Sequence, residues 1–369
     1  MSRIVFLLPC IDIDPATKKS APVGGFKVMY EYANRFAADG YEVVLVYPHN
    51  GCRYNSVGKF LYSLAGFCYR KVMHSHHAAE WFKLDGSIKK KFVFTLSHPW
   101  LWLKKDDIVF ATAVETAESL ARHANVPLAN KLYFIQGYEL WAGSKEVLSK
   151  SYNAGMHNIV IAPWLKEKVQ ESGADATLVT NGFDFKEFRL TKPIVERDKF
   201  EIVMLNHTLD HKRCVDAWAA LDIVKRSHPK LHVSMFGVYD PPADMPSWYT
   251  YYRNPSKQQL VDIYNNGAIY VAASDFEGFG LTVGEAMICG CAVACTDNGG
   301  FTCMAKDGDT ALLSKVYDVE GLAYNIDRFI EDDELRLRIA GQGNRYIRQF
   351  SWEKSYELLK KLVKNRKDK

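Results

Sequence analysis

Residues 269–295 read IYVAASDFEGFGLTVGEAMICGCAVAC, and the order of residue types in that stretch sets the fold class. Ile269–Ala272 and Ala292–Cys295 are short apolar runs of the kind that a parallel sheet buries on both faces, and 282–289 carries apolar residues at helical spacing. Between the first strand and the helix lies a turn containing Gly278 and Gly280. A strand, a glycine turn and a helix N-terminus make an anion site, because unpaired backbone N–H groups and the positive end of the helix dipole converge there. The two glycines let a diphosphate approach the backbone without a Cβ in the way. Glu277 and Glu285 flank that site and can accept hydrogen bonds from hydroxyls on either side of a diphosphate, such as a sugar ring and a ribose. Thr282 and Glu285 also fit a T-x-x-E capping box, in which Glu285 would only bond the N-cap amide.

Outward from this stretch the same alternation continues. Ile4–Leu8, Glu42–Tyr47, Ile108–Ala111, Lys131–Ile135, Asn158–Ala162 and Thr177–Val179 read as buried strands, with helices over Phe26–Ala38, Ala113–Arg122 and Trp164–Glu171. The pattern restarts at Phe200–Leu205, Leu231–Phe236 and Ala268–Ala272, with helices near 213–226 and 257–265. Asn181–Arg197, charged and containing Pro193, reads as the linker. The expected architecture is α/β: two Rossmann-like lobes facing across a cleft, over residues 1–185 and 186–350, and a C-terminal helix over 351–369 that crosses back to the first lobe.

Length and composition agree with this. The 369 residues are 48% apolar and 24% charged, enough for two cores and too apolar for a disordered chain. The longest apolar run, Ile4–Ile11, is eight residues, far short of a membrane span. With no cleavage site behind it, that run reads as a buried strand at a cytoplasmic N-terminus. The eight cysteines form no C-x-x-C pair and read as reduced thiols; the four within 289–303 have no histidine at zinc spacing, so no metal site is expected. Net charge is +4, but residues 52–105 hold ten Lys/Arg against Glu80 and Asp85, with eleven aromatics interleaved. Basic plus aromatic suits an anionic membrane surface, with Lys89, Lys90 and Lys91 as a cluster and Phe60, Leu61, Leu64 and Phe67 as an insertion face.

The segment 274–300 resembles retaining glycosyltransferases of the GT-B fold, specifically glycosyltransferase family 4, whose E-x7-E signature Glu277 and Glu285 match. The resemblance extends to PVGGFKVMYEYANRFAADGYEVVLVYP (22–48), TNGFDFKEF (180–188) and FSWEKSYELL (350–359). It implies that Glu285 holds the nucleotide ribose and Glu277 the hydroxyls of the transferred sugar. Gly278, Phe279, Gly280, Leu281 and Thr282 would form the diphosphate turn, and Gly24 and Gly25 the glycine turn of the first lobe. Lys212, with Arg213 beside it, matches the family's diphosphate-gripping lysine, and His207 stands where the family carries an arginine. FIQGYELW (134–141) places Gln136 where many members have a histidine, as in rhamnosyltransferase-like enzymes of bacterial surface polysaccharides. No acidic residue stands three places after Gly299-Gly300. The implied reaction moves a sugar from a nucleotide-diphosphate sugar to a free or lipid-linked surface glycan, with no cofactor and no metal.

Three other readings compete with this one. Gly278, Gly280 and Gly284 nearly spell the G-x-G-x-x-G of a nicotinamide-dependent oxidoreductase, but the last glycine is one residue late. Asp12-Ile13-Asp14 suggests a metal-dependent GT-A enzyme, and comes too early in the chain for one. A nucleic-acid-binding role for 52–105 finds no reading motif, and His74, His76, His77 and Glu80 are expected to be exposed or interfacial rather than metal ligands.

Overall fold

The structure is a computed structural model that describes residues 3–11, 23–49, 56–72 and 78–365. The Asp12–Asp14 triplet, Cys52 and the histidines at 74, 76 and 77 lie outside the described residues. The chain divides into two units, Met1–Thr180 with Tyr356–Lys369, and Asn181–Ser355.

Unit 1 runs β1 (Arg3–Leu7), α1 (Gly24–Ala38), β2 (Glu42–Pro48), α2 (Val57–Val72), β3 (Lys89–Val93), β4 (Ile108–Ala111), α3 (Val114–Ala121), β5 (Lys131–Ile135), α4 (Lys145–Tyr152), β6 (His157–Val160), α5 (Pro163–Glu171) and β7 (Ala176–Leu178). The strands pair in parallel in the order β3-β2-β1-β4-β5-β6-β7. Ile4, Phe6, Leu45, Val109 and Phe110 are fully buried, as expected of strands covered by helices on both faces.

Unit 2 repeats the plan with β8 (Glu201–Leu205), α6 (Cys214–Ser227), β9 (His232–Gly237), β10 (Tyr249–Arg253), α7 (Lys257–Asn266), β11 (Ile269–Ala272), α8 (Leu281–Ile288), β12 (Ala292–Thr296), β13 (Leu312–Ser314), α9 (Val319–Glu331) and α10 (Asp333–Tyr346). Its parallel order is β10-β9-β8-β11-β12-β13, over a core that includes Ile202, Leu221, Ile269, Ala294, Ile326 and Phe329. In each sheet the chain winds outward from its first strand and then returns to that strand's other side, so β1/β4 and β8/β11 are switch points where the loops diverge and leave a crevice.

A last helix, α11 (Trp352–Lys364), carries the chain back to unit 1. There Tyr356 donates to Asp39 Oδ2 at 2.6 Å, Lys360 pairs with the same carboxylate at 2.6 Å, and the Tyr356 ring meets Phe36 edge-on.

Three expectations are corrected. Asn181–Arg197 is not a free linker but part of unit 2. Phe183 is buried and its N–H donates to the Phe350 carbonyl, while the buried Arg197 guanidinium donates to the carbonyls of Tyr264, Gly267 and Cys289. The lysines at 89–91 are not one cluster, because successive strand residues point to opposite faces. Lys89 pairs with Glu42 at 2.8 Å and Lys90 donates to the Ala78 carbonyl at 2.9 Å. The expected insertion face is also split, with only Leu61 of its four residues exposed. On α2, Phe67 is buried and Phe60 packs edge-on against Phe94, while Leu61, Tyr62, Ala65, Cys68, Tyr69 and Val72 are exposed.

Candidate active site

The residues expected to carry chemistry in unit 2 come from the loops after β8 and β11, the switch point of its sheet. Lys212 closes a 3-10 turn, Asp210–Lys212, and its Nζ donates to Glu277 Oε1 at 2.6 Å. The same oxygen accepts from Ser274 Oγ at 3.0 Å. The two ionic side chains are 19% and 13% exposed, so the pair is shielded on most sides and open on one. It borders a void of about 20 Å³ lined by Cys214, Tyr270, Thr282 and Phe301, which has room for a water and none for a nucleotide.

Beside the pair, α8 begins at Gly280, whose φ of +87° only glycine adopts readily. A Cβ there would also stand 2.5 Å from the Phe301 ring. The first amides of the helix, at Leu281 and Thr282, have no carbonyl a turn earlier to receive them, which is the arrangement an anion site needs. Gly300 lies against Glu277, where a Cβ would come within 2.5 Å of Glu277 Cβ.

Asn298, which the sequence reading passed over, locks these loops together. Its amide donates to the Ser274 carbonyl at 2.8 Å, and its Oδ1 accepts from the N–H groups of Gly300 and Phe301 at 3.1 and 3.0 Å. Thr296 Oγ1 donates to the same Ser274 carbonyl at 2.5 Å. An asparagine directly before two glycines is the signal that could have found it, since its side chain closes a turn onto its own backbone.

Four sequence-derived roles change. Thr282 is the second helical residue and Glu285 the fifth, so the capping box does not form; Glu285 is 7% exposed on a helix that is otherwise apolar. Arg213 takes a left-handed backbone that turns it from Lys212, and its guanidinium is bound to Asp216 at 2.8 and 2.7 Å and stacked over Tyr317. It therefore does not share the Lys212 position. Phe279 is a core residue packed between Phe183 and Phe350, 3% exposed. His207, standing at the family's arginine position, is pulled down to about 4 by burial and by the charge of Lys212, so it is neutral at pH 7.

In unit 1, Gln136 and Gly25 meet at the other switch point: a Cβ on Gly25 would be 3.5 Å from Gln136 Nε2. Both line a cavity of about 250 Å³, which Gly24 does not. Two carboxyl groups share it. Glu139 is 9% exposed, accepts the Val114 N–H at 2.8 Å, and is pushed up to about 7 by burial. Glu115 is raised as well, chiefly by burial. Glu139 lies within FIQGYELW, where nothing in the sequence reveals that its carboxyl is enclosed.

Among the described residues, one group of possible metal ligands gathers, His228 with Asp327 and Glu331, and none of these belongs to either site. The described cysteines are free thiols; Cys289, Cys291 and Cys295 are buried.

Residues 186–346, which contain the Lys212–Glu277 pair and the glycine turn, match the family described as Glycosyl transferases group 1. The matched residues all lie within unit 2. Over a longer span the chain is 22% identical to the poly(glycerol-phosphate) alpha-glucosyltransferase of Bacillus subtilis (73% of this chain, 43% of that protein). Over a shorter span it is 31% identical to O-antigen chain mannosyltransferase B of Escherichia coli (29% of this chain, 27% of that protein). The chain spans less than half the length of these curated relatives. Among solved structures, Anabaena Alr3699/HepE in complex with UDP and glucose superimposes with a TM-score of 0.70 at 14% identity, over 99% of this chain and 100% of that one. Staphylococcus aureus TarM, solved with UDP, has a TM-score of 0.70 at 10% identity, over 98% of this chain and 100% of that one. Units 1 and 2 are thus the two Rossmann-like halves of a GT-B fold.

Proposed function

We propose that the protein is a retaining glycosyltransferase of family 4 that moves a hexosyl or deoxyhexosyl group from a UDP-, GDP- or dTDP-sugar, dTDP-rhamnose and GDP-mannose included, to a hydroxyl of a bacterial surface glycan. The observation that carries this reading is the meeting of Lys212 and Glu277 beside the open N-terminus of α8. In the reaction the bond from the anomeric carbon to the diphosphate breaks, the acceptor oxygen bonds to that carbon on the same face, and the acceptor proton passes to the departing phosphate oxygen. Negative charge grows on the diphosphate, where Lys212 and the amides of Gly280, Leu281 and Thr282 offset it without a metal. Glu277, released from Lys212, accepts from hydroxyls of the transferred sugar, and Glu285 from the ribose. The names of the relatives, a poly(glycerol-phosphate) glucosyltransferase and an O-antigen mannosyltransferase, support a surface polymer as acceptor.

A thermal-shift screen with UDP, GDP and dTDP tests the donor site, since a ligand of the folded state raises stability by RT ln(1 + [L]/Kd). NMR of the product anomer and an assay in EDTA test the rest. An inverted product, or loss of turnover in EDTA, overturns the mechanism.

We further propose that unit 1 rests on an anionic membrane at the inner, cytoplasmic side, where a lipid-linked acceptor meets the donor. No described helix is long and apolar enough to cross a membrane. Support comes from α2, whose outward stripe of Leu61, Tyr62, Ala65, Cys68, Tyr69 and Val72 is flanked by Lys59, Arg70 and Lys71, with no acidic residue on the helix. Co-sedimentation with phosphatidylglycerol vesicles at low salt, lost on Leu61→Asp with Tyr69→Asp, is the expected result; no binding at low salt overturns it.

A further inference from the structure

His228 caps the C-terminus of α6, while Asp327 and Glu331 stand four residues apart on one face of α9, the second of them closing the helix. The two helices pack on one another in the core of unit 2, so the three side chains meet where both helices end. His228 Nε2 lies 2.7 Å from Asp327 Oδ1 and 3.5 Å from Glu331 Oε1, and the three atoms fall within 4.8 Å of one another. The imidazole is 10% exposed and rests against the Phe200 ring, whereas both carboxylates reach solvent. Carboxylates at the C-terminal end of a helix face the negative end of its dipole, and two such ends converge here. Lys225 and Arg328, basic residues of the same two helices, are held elsewhere: Lys225 donates to the carbonyls of Pro229 and Leu231, and Arg328 lies over the Tyr324 ring. The cluster therefore favours a cation. One imidazole nitrogen with two carboxylate oxygens suits a borderline ion such as zinc, while magnesium and calcium take oxygen ligands.

We propose that His228, Asp327 and Glu331 bind one zinc-class divalent cation that clasps the C-terminal ends of α6 and α9. Ligand atoms about 2.0–2.2 Å from a tetrahedral ion stand about 3.4 Å from one another. The separation of His228 from Glu331 already fits, and Asp327 moves outward by about 0.7 Å as the ion enters. The neutral imidazole then carries its proton on Nδ1 and turns the Nε2 lone pair to the ion, and water takes the fourth position. The site stands where β8 and β9 begin, since Phe200 precedes β8 and its carbonyl accepts the His232 N–H. The loops that hold Lys212 and Glu277 follow the other ends of β8 and β11, at the opposite edge of the sheet. The cation thus serves the fold of unit 2 and takes no part in sugar transfer.

The test uses the full chain, stripped with EDTA, dialysed, and titrated with zinc chloride by calorimetry. Wild type is expected to bind zinc with micromolar affinity and to melt at a higher temperature as zinc is added, because an ion that binds only the folded state stabilises it. Magnesium chloride should do neither. Cobalt chloride should give the visible absorption of an ion with few ligands, without the near-ultraviolet band of a cobalt–thiolate bond. Glu331→Gln changes an exposed side chain and leaves the fold intact, and it should weaken zinc binding at least about tenfold. Asp327→Asn together with Glu331→Gln should remove one equivalent of zinc and the rise in melting temperature. Zinc-loaded and zinc-free wild type should turn over alike wherever both are folded. No zinc binding by wild type, full zinc binding by the double variant, a cobalt–thiolate band that the double variant loses, or a turnover rate that follows zinc in the folded enzyme overturns the proposal.

Discussion

Lys212 and Glu277, 65 positions apart in the chain, are joined by a 2.6 Å hydrogen bond that neutralises each with the other before any substrate arrives. In the proposed mechanism a sugar nucleotide divides them, the lysine turning to the diphosphate and the carboxylate to sugar hydroxyls. Lys212→Met leaves a mostly buried carboxylate without its cation, which should cost about 1–2 kcal/mol by chemical denaturation, below the fully buried case because the pair is open on one side. It should lower kcat at least a hundredfold. Glu277→Gln should also depress kcat strongly while free nucleotide still shifts the melting temperature, because its contacts are to the sugar.

Glu285 sits on the second turn of α8, not at its cap. Glu285→Ala should therefore leave stability within about 1 kcal/mol and weaken nucleotide binding about tenfold, read by titration calorimetry. A loss of stability with unchanged nucleotide affinity would count against the ribose role.

Gly300→Ala places a methyl group against Glu277, and Gly280→Ala places one against Phe301 on a left-handed backbone. Each should cost roughly 1–3 kcal/mol. Gly300→Ala should additionally abolish transfer in the fraction that remains folded, as shown by activity per folded molecule.

Two buried groups pull the pH dependence of stability in opposite directions. His207, held near 4 against 6.5 in the unfolded chain, contributes stability above about pH 6.5 that is lost as pH falls toward 4. Glu139, raised from 4.5 to about 7, does the reverse, since ionising it in the folded state weakens the fold as pH rises from 4.5 to 7. Glu139→Gln should make urea midpoints climb more steeply with pH between 4.5 and 7, and His207→Gln should make them climb less steeply. Unchanged slopes would show that neither group is buried as described.

Ten strands and the glycine turn ahead of α8 were legible in the sequence because apolar runs and glycines are local properties, whereas the edge strands β3, β10 and β13 were not read. What failed needed three dimensions. Helical spacing gives the period of α2 but not its phase, and with Phe60, Leu64 and Phe67 on one side and Leu61, Ala65, Cys68 and Val72 on the other, both stripes look apolar. Adjacent Lys212 and Arg213 look like one basic patch until a left-handed residue separates them. Arg197 read as linker charge, whereas its guanidinium gathers carbonyls inside unit 2. Glu139 became a candidate only when its surroundings enclosed it.

The hydroxyl that Tyr356 gives to Asp39 comes from a segment 317 positions downstream. During synthesis, then, the first Rossmann half leaves the ribosome long before the helix that covers Phe36 and Asp39 exists. That nascent half carries a bare apolar groove until translation reaches α11, so a stop codon placed just before Tyr356 should yield a polypeptide that binds chaperones and is degraded, even though both parallel sheets are fully encoded.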